Sequence, residues 1–341
     1  MTSSTELRLG WIGLGSMGLA MATNMQTHIT QQALPSLKYW NRTLSRGHGL
    51  KANGAIPSPS IGELVQQCDI IFISVRHFQT SSLEKTNKLT REQVSDDTVL
   101  QSVINSITTN GSSLDGKVIV DTTTVHPSTS TCVALQLSNA KATYLSSPVF
   151  GATPLALSGQ LLIAIAGPPS AVDLVFPFLT GVLARSVIRV GPEPSQALLL
   201  KTTSNFITAG LMMLLSEAHT LAAKTGLPAA VLEELVAQNF GNYLLGVSKR
   251  LTGGGYFPAE GEAPSSGLEL GMKDVGHGLS IAREEGMRLG MGEMYIEAAD
   301  EARKYGEETG RRCDSSSVFG VVRRRAGLEF ETEVVKQRDG K

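Results

Sequence analysis

Gly13-Leu14-Gly15-Ser16-Met17-Gly18 is the stretch whose residue types and spacing most directly imply chemistry. It is a G-x-G-x-x-G that follows a run reading as a strand, Leu7–Leu14, and opens a run with helical spacing, Ser16–Gln26. There the first glycine permits a tight turn and the second lets backbone N–H groups approach a pyrophosphate. The third allows close helix–strand packing, and the helix N-terminus favours negative charge. Alone the spacing is weak evidence; in a strand–helix context it predicts dinucleotide binding. Cofactor choice should fall to the end of the second strand, where a carboxylate would bond the ribose of NAD and an arginine would accept the 2′-phosphate of NADP. The chain has Tyr39-Trp40-Asn41-Arg42-Thr43 there, with no carboxylate. Asn41 can still bond the ribose and Arg42 can pair with a phosphate, so NADPH/NADP+ is expected and NADH is the less favoured alternative.

Other oxidoreductase chemistries are missing. None of the six tyrosines begins a Tyr-x-x-x-Lys, and no Cys/His cluster has zinc-ligand spacing, so no metal is expected. Cys68, Cys132 and Cys313 are scattered, which argues for a reducing compartment. His126, His219 and His277 read as packed or solvated, and Arg323-Arg324-Arg325 as a solvated helix face.

These residues need a scaffold. Short β-rich runs at Leu37–Trp40, Asp69–Val75, Lys117–Asp121, Leu161–Ala166 and Ser186–Val190 alternate with helical stretches such as Ile61–Gln67, the pattern of a parallel sheet with helices on both faces. After Gly191-Pro192-Glu193-Pro194 the pattern becomes helical. Ser195 to about Thr225 reads as one long helix, roughly 45 Å, stopped by Gly226 and Pro228. Further helices are expected at Pro228–Asn239, Met272–Glu285 and Met291–Glu307, with a Gly/Pro-rich loop at Thr252–Gly267. The predicted architecture is α/β: a Rossmann-type domain over 1–193, then an all-α substrate and dimerisation domain over 194–341, joined by the long helix. Gln79–Ser113, polar and Ser/Thr-rich, reads as a surface elaboration. With 341 residues, 41% hydrophobic, and 30 Lys+Arg against 31 Asp+Glu, the chain can bury a large core and lacks the basic excess of a nucleic-acid binder. No signal peptide and no apolar run of membrane-spanning length is visible, so a cytoplasmic protein without a membrane partner is expected.

Trp11–Met25 resembles the opening signature of the β-hydroxyacid dehydrogenases, relatives of 6-phosphogluconate dehydrogenase. The resemblance recurs in order. Asp121-Thr122-Thr123-Thr124-Val125-His126-Pro127 is similar to the family's Asp-x-Ser-Thr-x-x-Pro, and Ser147-Pro148-Val149-Phe150-Gly151-Ala152 to its substrate-binding Ala-Pro-Val-Ser-Gly-Gly. Lys201 to Asn205 matches the catalytic Lys-x-x-Asn-Asn, and Lys273-Asp274 the Lys-Asp of the helical domain. The resemblance implies hydride transfer between a nicotinamide and a small hydroxy acid, aldehyde or keto acid, with Lys201 as general acid/base and Asn205 orienting the substrate hydroxyl. Taken alone Lys201 reads as a surface lysine; its role is what the resemblance implies. So is the remainder of the site: Thr123, Phe150, Gly151, Ala152, Lys273 and Asp274 at the substrate, Val75 and Lys273 beside the cofactor, and a homodimer or homotetramer through the helical domain. The apolar Leu211-Met212-Met213-Leu214-Leu215 is expected as exposed surface for that assembly.

Three departures bear on substrate. Phe150 stands where the family carries a carboxylate-binding Ser, Ser204 replaces the first Asn of the pair, and Val75-Arg76-His77 replaces a Leu-Pro. Two other readings remain open: an imine reductase, favoured by Phe150 and opposed by Lys201, and a non-catalytic NADP-binding scaffold, opposed by Lys201 and Asn205 together.

Overall fold

The structure, a computed structural model, describes residues 7–75 and 96–341. Two compact units make it up, Met1–Lys201 and Thr202–Lys341.

In the first unit, strands and helices alternate in chain order: β1 (Leu9–Ile12), α1 (Ser16–Gln31), β2 (Lys38–Trp40), α2 (His48–Ala52), β3 (Ile56–Pro57), α3 (Ile61–Gln67) and β4 (Ile70–Ile73). There follow α4 (Asp96–Thr108), β5 (Val118–Asp121), α5 (Pro127–Asn139), β6 (Thr143–Ser146), β7 (Val149–Phe150), α6 (Thr153–Leu157), β8 (Leu161–Ala166), α7 (Pro169–Val175) and β9 (Ala184–Gly191). The sheet runs β3-β2-β1-β4-β5-β6-β8-β7, with β9 on β8. Its first six strands are parallel, in the 3-2-1-4-5-6 order of a Rossmann sheet, whose direction reverses beside β1. β1, β4 and β5 are buried at every position, as strands in a sheet covered on both faces are, although β5 ends on a carboxylate, Asp121. Trp11 on β1 stacks on Phe72 of β4 at 5.3 Å. Ser60 caps α3 by accepting the Glu63 N–H at 3.1 Å.

Helix α8 (Pro194–Thr225) opens on a proline and carries the chain into the second unit, which comprises α9 (Ala229–Thr252), α10 (Leu268–Glu284), α11 (Gly290–Thr309), α12 (Val318–Arg325) and α13 (Glu333–Arg338).

Several sequence expectations are corrected. Residues 96–108 of the supposed surface elaboration form core helix α4: Leu100, Val103, Ile104 and Ile107 recur at helical spacing and are buried, a stripe hidden by polar neighbours. The remainder of that segment up to residue 95, with Arg76 and His77, lies outside the described residues. Helix α9 does not end at Asn239 but runs to Thr252 across a break at Gly241, whose φ of 83° only glycine adopts freely. The Gly/Pro-rich loop lies between α9 and α10 as expected, and its Tyr256 and Phe257 are fully buried in an aromatic cluster with Phe319, Tyr305 and Phe330. Strands β3, β6 and β7, of two to four residues, have no counterpart in the sequence pattern.

Nor is Leu211–Leu215 an exposed apolar face throughout. Met212, Met213 and Leu215 fill the second unit's core, and Leu214 is the exposed one, at 53%. Among the described residues α8 is long and apolar enough to cross a membrane by length and composition. Ala209, Met212, Met213 and Leu215 of this helix lie in that core, and 33% of its apolar window is buried. Of the arginines of α12, Arg324 and Arg325 are exposed, as expected of a solvated face, and Arg323 is partly buried; Arg323 lies over Phe319, Arg324 over Tyr305, and Arg325 pairs with Glu297 and Glu301.

Candidate active site

The nucleotide turn is built as its glycines require. Gly13 has a φ of +97°, and its N–H donates to Trp40 O at 3.0 Å. A Cβ on Gly13 would lie 2.3 Å from Ser74 O, and one on Gly18 would lie 2.3 Å from Gly13 O. Nothing stands within 4 Å of a Cβ built at Gly15, the N-cap of α1. The first turn of α1 carries no acidic residue and no side-chain cap, leaving the space and field that a pyrophosphate needs. A dinucleotide therefore fits this turn.

Leu14 and Met17 flank the glycines; Leu14 is buried, while Ser16 is exposed at the helix start. Asn41 does something its sequence position did not reveal. Its Oδ1 accepts the Leu14 N–H at 2.8 Å, and its Nδ2 donates to Thr43 O at 2.8 Å. The side chain thus braces the glycine turn against the end of β2 and keeps one amide hydrogen for a ribose. Arg42 and Thr43 are exposed beyond it. Arg46, which sequence reasoning passed over, is exposed on the same short 3₁₀ turn, Leu44–Gly47; its place one turn after Arg42 was the available signal.

At the carboxyl ends of the next strands, Thr123 Oγ1 accepts the Val75 N–H at 3.4 Å, and Thr122 Oγ1 donates to Ile73 O at 2.9 Å. The turns after β1, β4 and β5 thus stand side by side where Rossmann sheets bind ligands. His126 is a helix cap, its Nδ1 accepting the Ser128 N–H at 3.3 Å. His219 is buried, 2.6 Å from the Ser248 hydroxyl, and burial pulls its pKa down. No cluster of three metal-ligating side chains occurs among the described residues.

Also in the first unit, the Lys201 ammonium lies over the ring of Phe150, 4.9 Å from its centroid. The residue that departs from the family's serine therefore meets the candidate acid directly, through a cation–π contact. Gly151 follows with a φ of +127°, and Ala152 caps α6. Ala197 and Leu198, a turn earlier on α8, are completely buried and fix the helix on which Lys201 stands.

Within the second unit, Asn205 Nδ2 donates to Asp274 Oδ2 at 2.9 Å, while Asp274 Oδ1 pairs with Lys273 Nζ at 3.3 Å. All three side chains are partly buried. Asp274 thus orients the Asn205 amide and balances the Lys273 charge, so its direct task is to hold Asn205.

Residues 8–191 match the family described as the NAD binding domain of 6-phosphogluconate dehydrogenase. The chain belongs to that family. It is 27% identical to the NADH-dependent oxidoreductase ucdB of Aspergillus ustus over 93% of this chain and 99% of that one. Its fold is also that of Mycobacterium tuberculosis 3-hydroxyisobutyrate dehydrogenase with L-serine (TM-score 0.74, 18% identity, 93% and 99% coverage). A Streptomyces aurantiacus imine reductase shares it more loosely (TM-score 0.56, 20% identity, 94% and 99% coverage). This family member is an NAD(P)-dependent oxidoreductase, similar in sequence to proteins named as a glyoxylate/succinic semialdehyde reductase of Arabidopsis thaliana and a 2-(hydroxymethyl)glutarate dehydrogenase of Eubacterium barkeri.

Proposed function

We propose that the chain is an NADPH-preferring reductase that converts a small aldehyde or keto acid into the hydroxy acid, and the reverse, with Lys201 as the proton donor and acceptor. The observation that carries this reading is the Lys201 ammonium lying over the Phe150 ring, 4.9 Å from its centroid.

When bound, the nicotinamide supplies or takes the hydride. Lys201 gives its Nζ proton to the carbonyl oxygen as negative charge develops there, and regains one from solvent; in oxidation the neutral amine removes the hydroxyl proton. The Asn205 amide donates to the same oxygen and fixes its direction. Phe150 offers no partner for a substrate carboxylate, so within the first unit the backbone N–H groups near Gly151 are the candidates for that task. The testing experiment is NADPH and NADH oxidation against glyoxylate, succinic semialdehyde, tartronate semialdehyde, larger keto compounds and cyclic imines. Carbonyl turnover that depends on Lys201 supports the reading. The apolar Phe150 also favours a second reading, imine reduction, and imine turnover that survives Lys201→Ala would replace the first with it.

Cofactor preference is assigned to Arg42, exposed past the end of β2 where a 2′-phosphate would lie. Arg42→Ala is expected to lower the ratio of kcat/KM for NADPH over NADH by about 10–100-fold, the worth of a charge-assisted pair. The change should come from the KM for NADPH, with NADH kinetics unaltered. An unchanged ratio would remove Arg42 from cofactor selection. The Aspergillus ustus relative is named NADH-dependent, which makes this titration the first to run.

A further inference from the structure

At the carboxyl end of β5 a carboxylate is completely buried: Asp121 exposes none of its surface. Hydride transfer with a lysine acid asks for no charge at this place. Burying one is costly unless it is fully hydrogen-bonded, and Asp121 is. Its Oδ1 accepts the Thr123 N–H at 2.9 Å and its Oδ2 accepts the Tyr144 O–H at 2.9 Å. Tyr144 reaches it from the neighbouring strand β6 and is itself only 3% exposed. The backbone joins in, since Asp121 O accepts the Ser147 N–H at 2.6 Å. Thr123 in turn accepts the Val75 N–H through its hydroxyl.

One carboxylate therefore ties together the turn after β5, the strand beyond it and, through Thr123, the turn after β4. These are the turns standing beside Gly13 in the ligand-binding row. A brace of fixed shape needs no charge. An ionised carboxylate is the side chain that accepts at both ends and donates at neither, matching two opposed donors. Protonation reverses one end of the match, because the acid's own O–H must then donate to the Tyr144 oxygen and the Tyr144 hydrogen must turn away.

Building on the function proposed above, we infer that Asp121 and Tyr144 form a positioning pair for the Thr123 turn: the ionised carboxylate holds that turn in the geometry that receives cofactor and substrate, and protonation releases it. Neither residue touches the reacting atoms.

Burial pushes the Asp121 carboxyl up to about 6, against the hydrogen bonds from Thr123 and Tyr144, which favour ionisation. Asp96, at the start of α4, adds a like charge that raises it further. Burial also drives Tyr144 well above the usual phenol range, so it remains a donor at neutral pH. The release thus falls near pH 6. Stability runs the other way. With a folded-state pKa above that of the unfolded chain, the folded protein binds the proton more tightly, so this group's contribution is greatest below about pH 4 and is lost as pH rises through about 6. Function falling toward acid while stability rises is a signature that a merely structural brace does not give.

The test measures kcat, KM and cofactor affinity from pH 5 to 8 for the wild type, Asp121→Asn and Tyr144→Phe, with affinity read by nucleotide fluorescence in the absence of substrate. The wild type should show an acid limb near pH 6 in both turnover and cofactor binding. Tyr144→Phe removes a donor that favours the carboxylate and should move the limb upward by about one pH unit. Asp121→Asn should lose the limb and lower kcat by about 10–100-fold, the usual cost of a misplaced reacting group. A limb unmoved by Tyr144→Phe, or surviving in Asp121→Asn, overturns the inference. If Asp121→Asn does not fold, Tyr144→Phe decides alone. Cofactor binding with the expected pH behaviour but no turnover of any carbonyl would sink the proposed reaction and leave this pair standing. Lys201-dependent turnover with no acid limb would do the reverse.

Discussion

Lys201→Ala is expected to lower kcat for the preferred carbonyl by about 10²–10⁴-fold, the usual worth of a positioned general acid, with NADPH affinity changed by no more than a few-fold. The lysine stands on α8 where Ala197 and Leu198 are completely buried, so truncating its side chain removes a proton donor without loosening the helix. The melting temperature should therefore hold while turnover collapses, and that split separates a catalytic loss from a folding loss. Lys201→Arg should not rescue activity: a guanidinium keeps the charge over Phe150 but does not surrender a proton in the working pH range. Phe150→Leu keeps the apolar bulk and removes only the ring face beneath the ammonium, for a loss of about 2–30-fold, the scale of a cation–π contact. Steady-state kinetics of the three variants on the same carbonyl make the comparison. A Lys201→Ala enzyme retaining a third of wild-type kcat would end the assignment.

The second large effect is expected at the glycine turn, where two neighbouring substitutions should fail in different ways. Gly13→Ala must put a Cβ 2.3 Å from the Ser74 carbonyl at a φ of +97°. That obstacle is backbone just past the end of β4, which cannot rotate aside. Strain and clash together should cost about 2–4 kcal/mol, lowering the melting temperature by roughly 5–10 °C and abolishing cofactor binding. Gly15→Ala meets nothing within 4 Å and has no positive φ. Its protein should melt like the wild type yet bind NADPH at least tenfold more weakly, because the new methyl occupies the approach of the pyrophosphate. Thermal melts paired with fluorescence titration check both. Equal destabilisation by the two variants, or undisturbed cofactor affinity in Gly15→Ala, would mean that the turn is structural and the nucleotide lies elsewhere.

Much of the first unit was legible before any coordinates. The glycine spacing needed only its own strand and helix as context, the apolar run Ile70–Ile73 announced a strand buried on both faces, and Gly226 with Pro228 marked the end of α8. Helix α4 was misread because four buried residues at helical spacing were outnumbered by serine, threonine and asparagine, and average polarity hid a stripe that only a docking surface makes meaningful. The burial of Tyr256 and Phe257 was not legible, because local turn chemistry says where a chain bends and nothing about which cavity its aromatics then fill.

By itself, then, the amino-acid sequence determined what short-range physics can encode: strand–helix alternation, the nucleotide turn, the long apolar helix, and the presence of lysine, asparagine and aspartate in family order. Tertiary structure alone decided their partners. Asn41 braces Leu14 across 27 residues, Asp274 orients Asn205 across 69, Asp121 meets Tyr144 across 23, and Phe150 lies beneath Lys201. The physical reason is that propensity and periodicity are set by neighbours a few residues away. A hydrogen bond or an ammonium–ring contact depends on which strand ends the sheet order brings side by side, and no local pattern in the chain records that.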